Sequence, residues 1–319
     1  MTASLAIASG TSLETIACYA CGGAQSTPFI EAGDDLGGRP GRFRFVSCVK
    51  CGLVYQNPRL PLEAIKGWYD DEYIAHRKKT DWGVLTRAYN YAMERHDRRK
   101  LALVRDYAQL DAGSEALDIG CGAGTFLAML AAERGCRVTG VDFKDLSHLP
   151  WMKPVEFRCG LFTEQHFGAR RFDLITMWHF LEHDYEPRRT LAAARELLSP
   201  GGRLIIEVPR LDSLSFRLFH DRWPGLQAPQ HTALYSHATL RSIATREGLE
   251  IVEHLPYGAF PANYYLFTGL AFRLLRGRGL NLSRAVYPYF LGELLLAPLL
   301  AFEKQLNLAM QTIVLRRPS

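Results

Sequence analysis

A chain of 319 residues is long enough for one large α/β domain with appendages or for two ordinary domains. Its 48% hydrophobic and 22% charged residues exclude a disordered or fibrous chain and describe a folded, soluble one. A formal net charge of +5 and a pI near 8.8 permit an anionic partner without demanding one.

Residues 1–14 carry no basic group ahead of a sustained apolar run, so they predict a flexible tail, no secretion signal and a cytoplasmic location. Residues 15–57 hold two C-x-x-C knuckles, Cys18-Tyr-Ala-Cys21 and Cys48-Val-Lys-Cys51, each followed by glycine. Four thiolates in two pairs suit one tetrahedral zinc in a closed, structural site; two disulfides are the competing reading, disfavoured in a reducing compartment. Cys121, Cys136 and Cys159 are scattered through the remainder. The alternation RFRFVSC between the knuckles predicts a ribbon hairpin.

Residues 58–110 form a connector and a helical arm. Tyr69 and Tyr73 are one helical turn apart and suit either closure over a ligand or ordinary packing. The pattern from Tyr89 to Leu110 predicts an amphipathic helix whose Arg95, Arg98, Arg99 and Lys100 form a solvated charged face.

The core is expected over 111–255. Residues 115–126, EALDIGCGAGTF, read as a strand leaving Asp118 into a turn with Gly120, Gly122 and Gly124 at alternate positions and Cys121 between. Glycines there let the chain turn sharply and let a ligand approach bare backbone at the start of the next helix. The dinucleotide fingerprint G-x-G-x-x-G is excluded, since its third small residue would fall on Thr125. About twenty residues further on, RVTGVDF predicts a second strand ending in Asp142, placed to accept from ribose hydroxyls or, alternatively, to cap a helix. An acid beside the turn disfavours a diphosphate and suits a cation.

Further strands are expected near 155–158 and at 172–177, 203–208 and 249–254, with helices at 124–134, 187–198 and 238–247. Ser199-Pro-Gly-Gly is a helix stop. Alternating short apolar runs and helices imply a parallel sheet covered on both faces, with binding beyond the carboxyl ends of its strands. Residues 256–310 form an apolar insertion whose stretch 256–302 contains a single acid, Glu293. It reads as a helical lid, a homodimer surface or a helix pair lying on a membrane; Pro256, Pro261, Pro288 and Pro298 argue against spanning one. Residues 311–319 contain a last strand, QTIVL, and a tail.

The glycine turn with Asp142 resembles motif I and the ribose acid of the class I S-adenosylmethionine (SAM) methyltransferases. The resemblance implies an α/β, Rossmann-like sheet of seven strands with the last antiparallel, preceded by a zinc ribbon and interrupted by the apolar helical insertion. It also implies a SAM site built from Asp118, Gly120, Cys121, Gly122, Gly124, Asp142, Phe143 and Trp178. The knuckles, Asn57-Pro58 and Tyr69-Asp-x-x-Tyr73 are similar to bacterial zinc-ribbon members of that superfamily, which act on sugars, glycans, lipids and secondary metabolites.

FDLITMWHFLEHDYEP places His179, Glu182 and His183 at i, i+3 and i+4, on one face if helical. It resembles the acceptor motif of ubiquinone-type O-methyltransferases and small-RNA ribose methyltransferases, in which two carboxylates and a histidine hold a divalent cation. His179 stands here where the first carboxylate would be, and two imidazoles suit magnesium poorly. A divalent cation at His179, Glu182 and His183, a general base at His183 and a structural cluster all remain open. His231, in DRWPGLQAPQHTALYSHATL, is a second candidate base, and Ser236 with Thr239 predicts a helix cap.

The expectation is O-methylation of a small-molecule, glycosyl or lipid-like acceptor. Sugar C-methylation, rRNA or tRNA methylation and noncatalytic SAM binding are the alternatives. The G-x-S-x-G elbow and the P-loop are both missing from the sequence, which weighs against hydrolase and kinase chemistry on such a sheet.

Overall fold

The computed structural model describes residues 12–69, 84–275 and 290–318. Chain order begins with β1 (Ser26–Ala32), β2 (Phe43–Cys48) and β3 (Val54–Gln56), then helices α1 (Leu62–Lys66) and α2 (Val84–Tyr107). The core follows as β4 (Glu115–Ile119), α3 (Thr125–Arg134), β5 (Arg137–Asp142), β6 (Val155–Cys159), β7 (Phe172–Trp178), α4 (Pro187–Leu197), β8 (Leu198–Pro209) and α5 (Leu214–Phe219). It ends with β9 (Ala233–Leu234), α6 (His237–Arg246), β10 (Glu250–Leu255), α7 (Ala262–Leu275) and β11 (Met310–Arg316).

Seven strands form the main sheet in the order β10-β11-β8-β7-β4-β5-β6. The pairs among β8, β7, β4, β5 and β6 are parallel, and β11 runs antiparallel to both neighbours, as the expected fold requires. Alternation along the strands separates the two cores. Leu117, Ile175, Ile206 and Ile313 pack on one face, whereas Ala116, Leu174, Ile205 and Val314 pack on the other with Val104 of α2 and Phe126 and Leu130 of α3.

Local signals behave as read, with small displacements. Helix α4 stops at Leu197, but the chain is already extended at Leu198, so β8 absorbs Ser199-Pro-Gly-Gly with a register shift between Phe172 and Leu174. Helix α2 ends before Leu110 because the chain enters a turn in which Gly113 N donates to Asp111 Oδ1 at 2.9 Å. Ser236 and Thr239 form a full capping box on α6.

The knuckle segment is joined to the core. The second sheet has the order β1-β2-β3-β9, so its last strand comes from the segment between β8 and α6. Cys18, Cys48, Leu53 and Tyr55 are buried in the same cluster as Leu117 and Ile313.

Candidate active site

The turn after β4 requires its glycines. Gly120 has φ 75°, and a Cβ there would sit 2.5 Å from Phe180 Cδ2; Gly124 has φ 68°, and a Cβ there would strike Met152 Sδ. The main chain is thereby held against β5, with Gly120 N and Cys121 N donating to Val141 O at 2.8 and 3.1 Å. Asp142 accepts from Gly122 N at 2.9 Å and from Lys144 N at 3.1 Å, which fixes its carboxylate beside the turn.

A cavity of about 580 Å³ opens over this turn, beyond the carboxyl ends of β4, β5 and β7. Asp118, Gly120, Cys121, Gly122, Asp142, Phe143 and Trp178 line it. Gly124 is not among the lining residues and serves as the left-handed residue that starts α3. Asp118 accepts from Thr176 Oγ1 at 2.7 Å, and burial pushes its carboxyl up to about 7.

Sequence reading missed the contribution of α2. Lys100 and Asp97 both line the cavity, 3.4 Å apart, with the ammonium over the rings of Phe126 and Trp178. Asp97 also accepts from Thr125 Oγ1 at 2.6 Å. The expected solvated face is therefore corrected: Lys100 faces the cavity, Arg95 pairs with Glu293 and Arg99 lies 3.5 Å from Glu303. Only Arg98 of the four follows the expectation, pairing with exposed Glu94 one turn away. Helical periodicity shows which side chains share a face but not what that face meets.

Residues 179–183 form a turn instead of a helix, because His179 takes φ 55° and His183 N reaches back to Phe180 O at 2.9 Å. The two histidines consequently turn to different partners, with Glu182 between them. His179 lies 3.1 Å from Glu207 and 3.5 Å from Glu182; burial opposes its charge, but the two carboxylates outweigh it and raise the imidazole to about 9. It is an imidazolium at neutral pH, which removes it as a proton acceptor.

His183 meets His231 instead, with ring centroids 4.5 Å apart. His183 Nδ1 lies 3.0 Å from Gln230 O and 3.0 Å from Tyr69 Oη, and a carbonyl can only accept, so this nitrogen carries the proton. His231 Nδ1 likewise donates to Gly225 O at 2.8 Å. In a neutral ring whose Nδ1 carries the proton, Nε2 is the acceptor. His231 is buried and its basicity is pushed down to about 3 by desolvation, then by His183, so it is neutral and too weak a base to take a proton near pH 7.

Glu182 lies between these groups. Its carboxylate is buried, and neither oxygen accepts a hydrogen bond among the described residues; His231 Nε2 is 4.0 Å away. Ligand atoms of Glu182, His183 and His231 lie within 4.8 Å of one another. Those of His96, His179 and Glu207 do as well, although there Glu207 is already satisfied by His179 and by the amides of Ala259 and Phe260. Tyr69 also lines the cavity, its ring 5.2 Å from Phe143; Tyr73 lies outside the described residues.

Beyond the histidines the cavity is aromatic. Trp223, Phe260, Tyr264, Tyr265 and Phe272 line it, four of them from the apolar insertion, which therefore forms a wall of the chamber. Outside the cavity lining, the four knuckle cysteines converge: Cys18 Sγ to Cys51 Sγ and Cys21 Sγ to Cys48 Sγ are each 3.5 Å, and all four Sγ lie within 4.8 Å. All four are free thiols.

The family model described as Methyltransferase domain matches residues 91–254, from the middle of α2 to the end of the sixth parallel strand. The chain belongs to this methyltransferase family. Among curated relatives, the ubiquinone biosynthesis O-methyltransferase of Idiomarina loihiensis is 28% identical over 140 residues, covering 41% of this chain and 55% of that protein. Its counterpart from Aromatoleum aromaticum is 36% identical over 102 residues, covering 29% and 43%. The chain thus spans about half the length of the curated relatives it matches. In fold it is similar to Haemonchus contortus phosphoethanolamine N-methyltransferase 2 in complex with S-adenosyl-L-methionine, with a TM-score of 0.50, 18% identity and coverage of 83% of this chain and 63% of that one.

Proposed function

We propose that the chain transfers a methyl group from SAM to a hydroxyl of a small, largely apolar acceptor. One observation carries this reading: a single cavity runs from the glycine turn and Asp142 past His183 to an aromatic chamber. In this reading the cofactor lies against Gly120 and Gly122, with its ribose at Asp142 and its cationic end toward Asp118. Methyl transfer needs the acceptor oxygen held in line with the sulfonium carbon, and alignment supplies most of the acceleration. His183, whose Nε2 is an acceptor, takes the hydroxyl proton.

A second reading rests on Glu182. A buried carboxylate without hydrogen bonds, 3.5 Å from His179 on one side and flanked on the other by two imidazoles whose Nδ1 protons are held by backbone carbonyls, fits a divalent cation. Glu182, His183 and His231 would be its ligands, a set that suits zinc, manganese or iron better than magnesium. When bound, the cation would lower the pKa of the acceptor hydroxyl. His179 is outside this set, because it is committed to Glu207.

The zinc reading of the knuckles fits the thiols. Tetrahedral zinc with bonds of about 2.3 Å places sulfurs roughly 3.8 Å apart, close to the spacing of the two nearest pairs. An RNA acceptor finds less support, since Arg95, Arg98, Arg99 and Lys100 each face a carboxylate.

Two measurements test the cofactor half. Asp142→Ala is expected to weaken SAM binding about tenfold or more in calorimetry with an unchanged circular-dichroism spectrum; unchanged affinity would remove the ribose assignment. Asp118 gives a pH signature. A carboxyl raised to about 7 is ionised more fully as pH climbs, so affinity for the cationic cofactor is expected to rise several-fold from pH 6 to 7.5. Asp118→Asn should flatten that slope, and a parent protein with pH-independent affinity contradicts the placement.

A further inference from the structure

We infer that the outer face of the insertion docks on an anionic lipid bilayer. Of the large hydrophobic side chains among the described residues, Leu270, Leu274, Leu291, Leu294, Leu295 and Phe302 are each more than half exposed, and outside the insertion only Val49 and Tyr91 are. The spacing is helical: Leu270 and Leu274 are one turn apart on α7, and Leu291, Leu294 and Leu295 sit at i, i+3 and i+4, with residues 290–295 helical. Leu214 and Leu218 extend the patch along α5, where Arg273 of α7 donates to Leu218 O at 3.2 Å. A Cβ on Gly292 would lie 3.8 Å from Phe267 of α7, so the two leucine-bearing segments adjoin; apolar surface grouped in this way marks a docking face, whereas isolated exposed leucines do not.

Charge selects the occupant. By sequence, the insertion 256–310 contains Arg273, Arg276, Arg278, Arg284 and Lys304 against two acids, Glu293 and Glu303. The structure turns both acids toward arginines of α2, Glu293 to Arg95 and Glu303 to within 3.5 Å of Arg99, and the insertion's own sequence carries a net positive charge. Leucines flanked by arginines favour an anionic interface, each arginine adding attraction to the surface. A second copy meeting this face by a two-fold axis would bring like charges together. No described helix is long and apolar enough to cross a membrane, so the contact lies in the interfacial plane.

The inner side of the same element supplies Phe260, Tyr264 and Phe272 to the chamber. Docking thus sets the chamber beside the lipid, where an apolar acceptor would partition. That last consequence rests on the methyl-transfer reading; the docking itself does not.

The test is flotation of the full chain, without SAM or acceptor, on vesicles of phosphatidylcholine alone and with about 25% phosphatidylglycerol. The parent is expected to float with the anionic vesicles and to release as salt is raised. A variant carrying Leu274→Ser, Leu294→Ser and Leu295→Ser is expected to partition at least tenfold less, with SAM affinity unchanged as a check on folding. A parent that stays with neither vesicle overturns the inference, as does a triple variant that floats as well as the parent. A parent dimer in sedimentation that the variant lacks assigns the face to a second copy and also overturns it. Loss of SAM binding in the parent would strike the methyl-transfer reading and leave the lipid result standing.

Discussion

His183→Ala is expected to lower kcat by about a hundredfold to ten-thousandfold while SAM affinity stays within twofold. The ring meets Tyr69, Gln230 and His231 across the cavity, and none of these contacts touches the glycine turn. His231→Ala should also lower turnover, for a different reason. Its ring is neutral and buried, so the loss comes through the position of His183 or through a cation ligand, not through a missing base. The two readings separate on added metal. If Glu182, His183 and His231 hold a cation, a chelator abolishes turnover, zinc or manganese restores it, and Glu182→Gln is as damaging as His183→Ala. If His183 acts alone, activity survives the chelator and follows one ionisation in the pH profile of kcat/KM. Wild-type turnover in both histidine variants would remove the pair from the mechanism.

Cys48→Ser is expected to destabilise the whole molecule and to lower activity with it, although none of the four thiols lines the cavity. The route is structural. Strand β3 pairs with β9 through Val54–Leu234 and Tyr55–Ala233, and Gln56 Nε2 donates to Pro229 O at 2.9 Å and to His231 O at 2.5 Å. Gln56 N also donates to Thr232 O at 2.8 Å. Loosening the knuckles therefore releases the loop that presents His231. A structural zinc contributes folding free energy directly, so metal analysis should give about one zinc per chain, and stripping it should lower the melting temperature and kcat together. Protein prepared without chelator that contains no zinc, or a serine variant that melts and turns over like the parent, would contradict the assignment. Gln56→Ala offers a separable variant: it keeps all four thiols, and its expected defect is confined to turnover.

The parts of the molecule legible in the sequence are those whose partners are set by adjacent strands. Asp118, the glycine turn and Asp142 lie on β4 and β5, neighbours in the sheet and about twenty residues apart, so spacing alone brought them to one place. Strand limits were legible for the same reason, since period-two alternation shows in a few residues; β5 lies at 137–142 as the pattern predicts. The acceptor side was less legible. His179, Glu182 and His183 were treated as a helical face, and one left-handed residue sent His179 to Glu207 and His183 to His231. Lys100 looked solvated because the aromatic rings beneath it and the acids that meet its neighbours lie elsewhere in the chain.

By itself, then, the sequence determined the sheet, the turn that opens its ligand cavity and the pairing of the knuckles, because each depends on short-range periodicity, glycine geometry or thiol spacing. Only the tertiary structure decided that the ribbon braces the His231 loop, that Glu182 is buried between two neutral-side imidazole nitrogens, and that the insertion shows aromatics to the chamber and leucines outward. Those outcomes depend on which distant segments share a desolvated space. A histidine's charge illustrates the point: His179 and His231 have the same side chain, yet flanking carboxylates raise one to about 9 and burial beside another imidazole lowers the other to about 3.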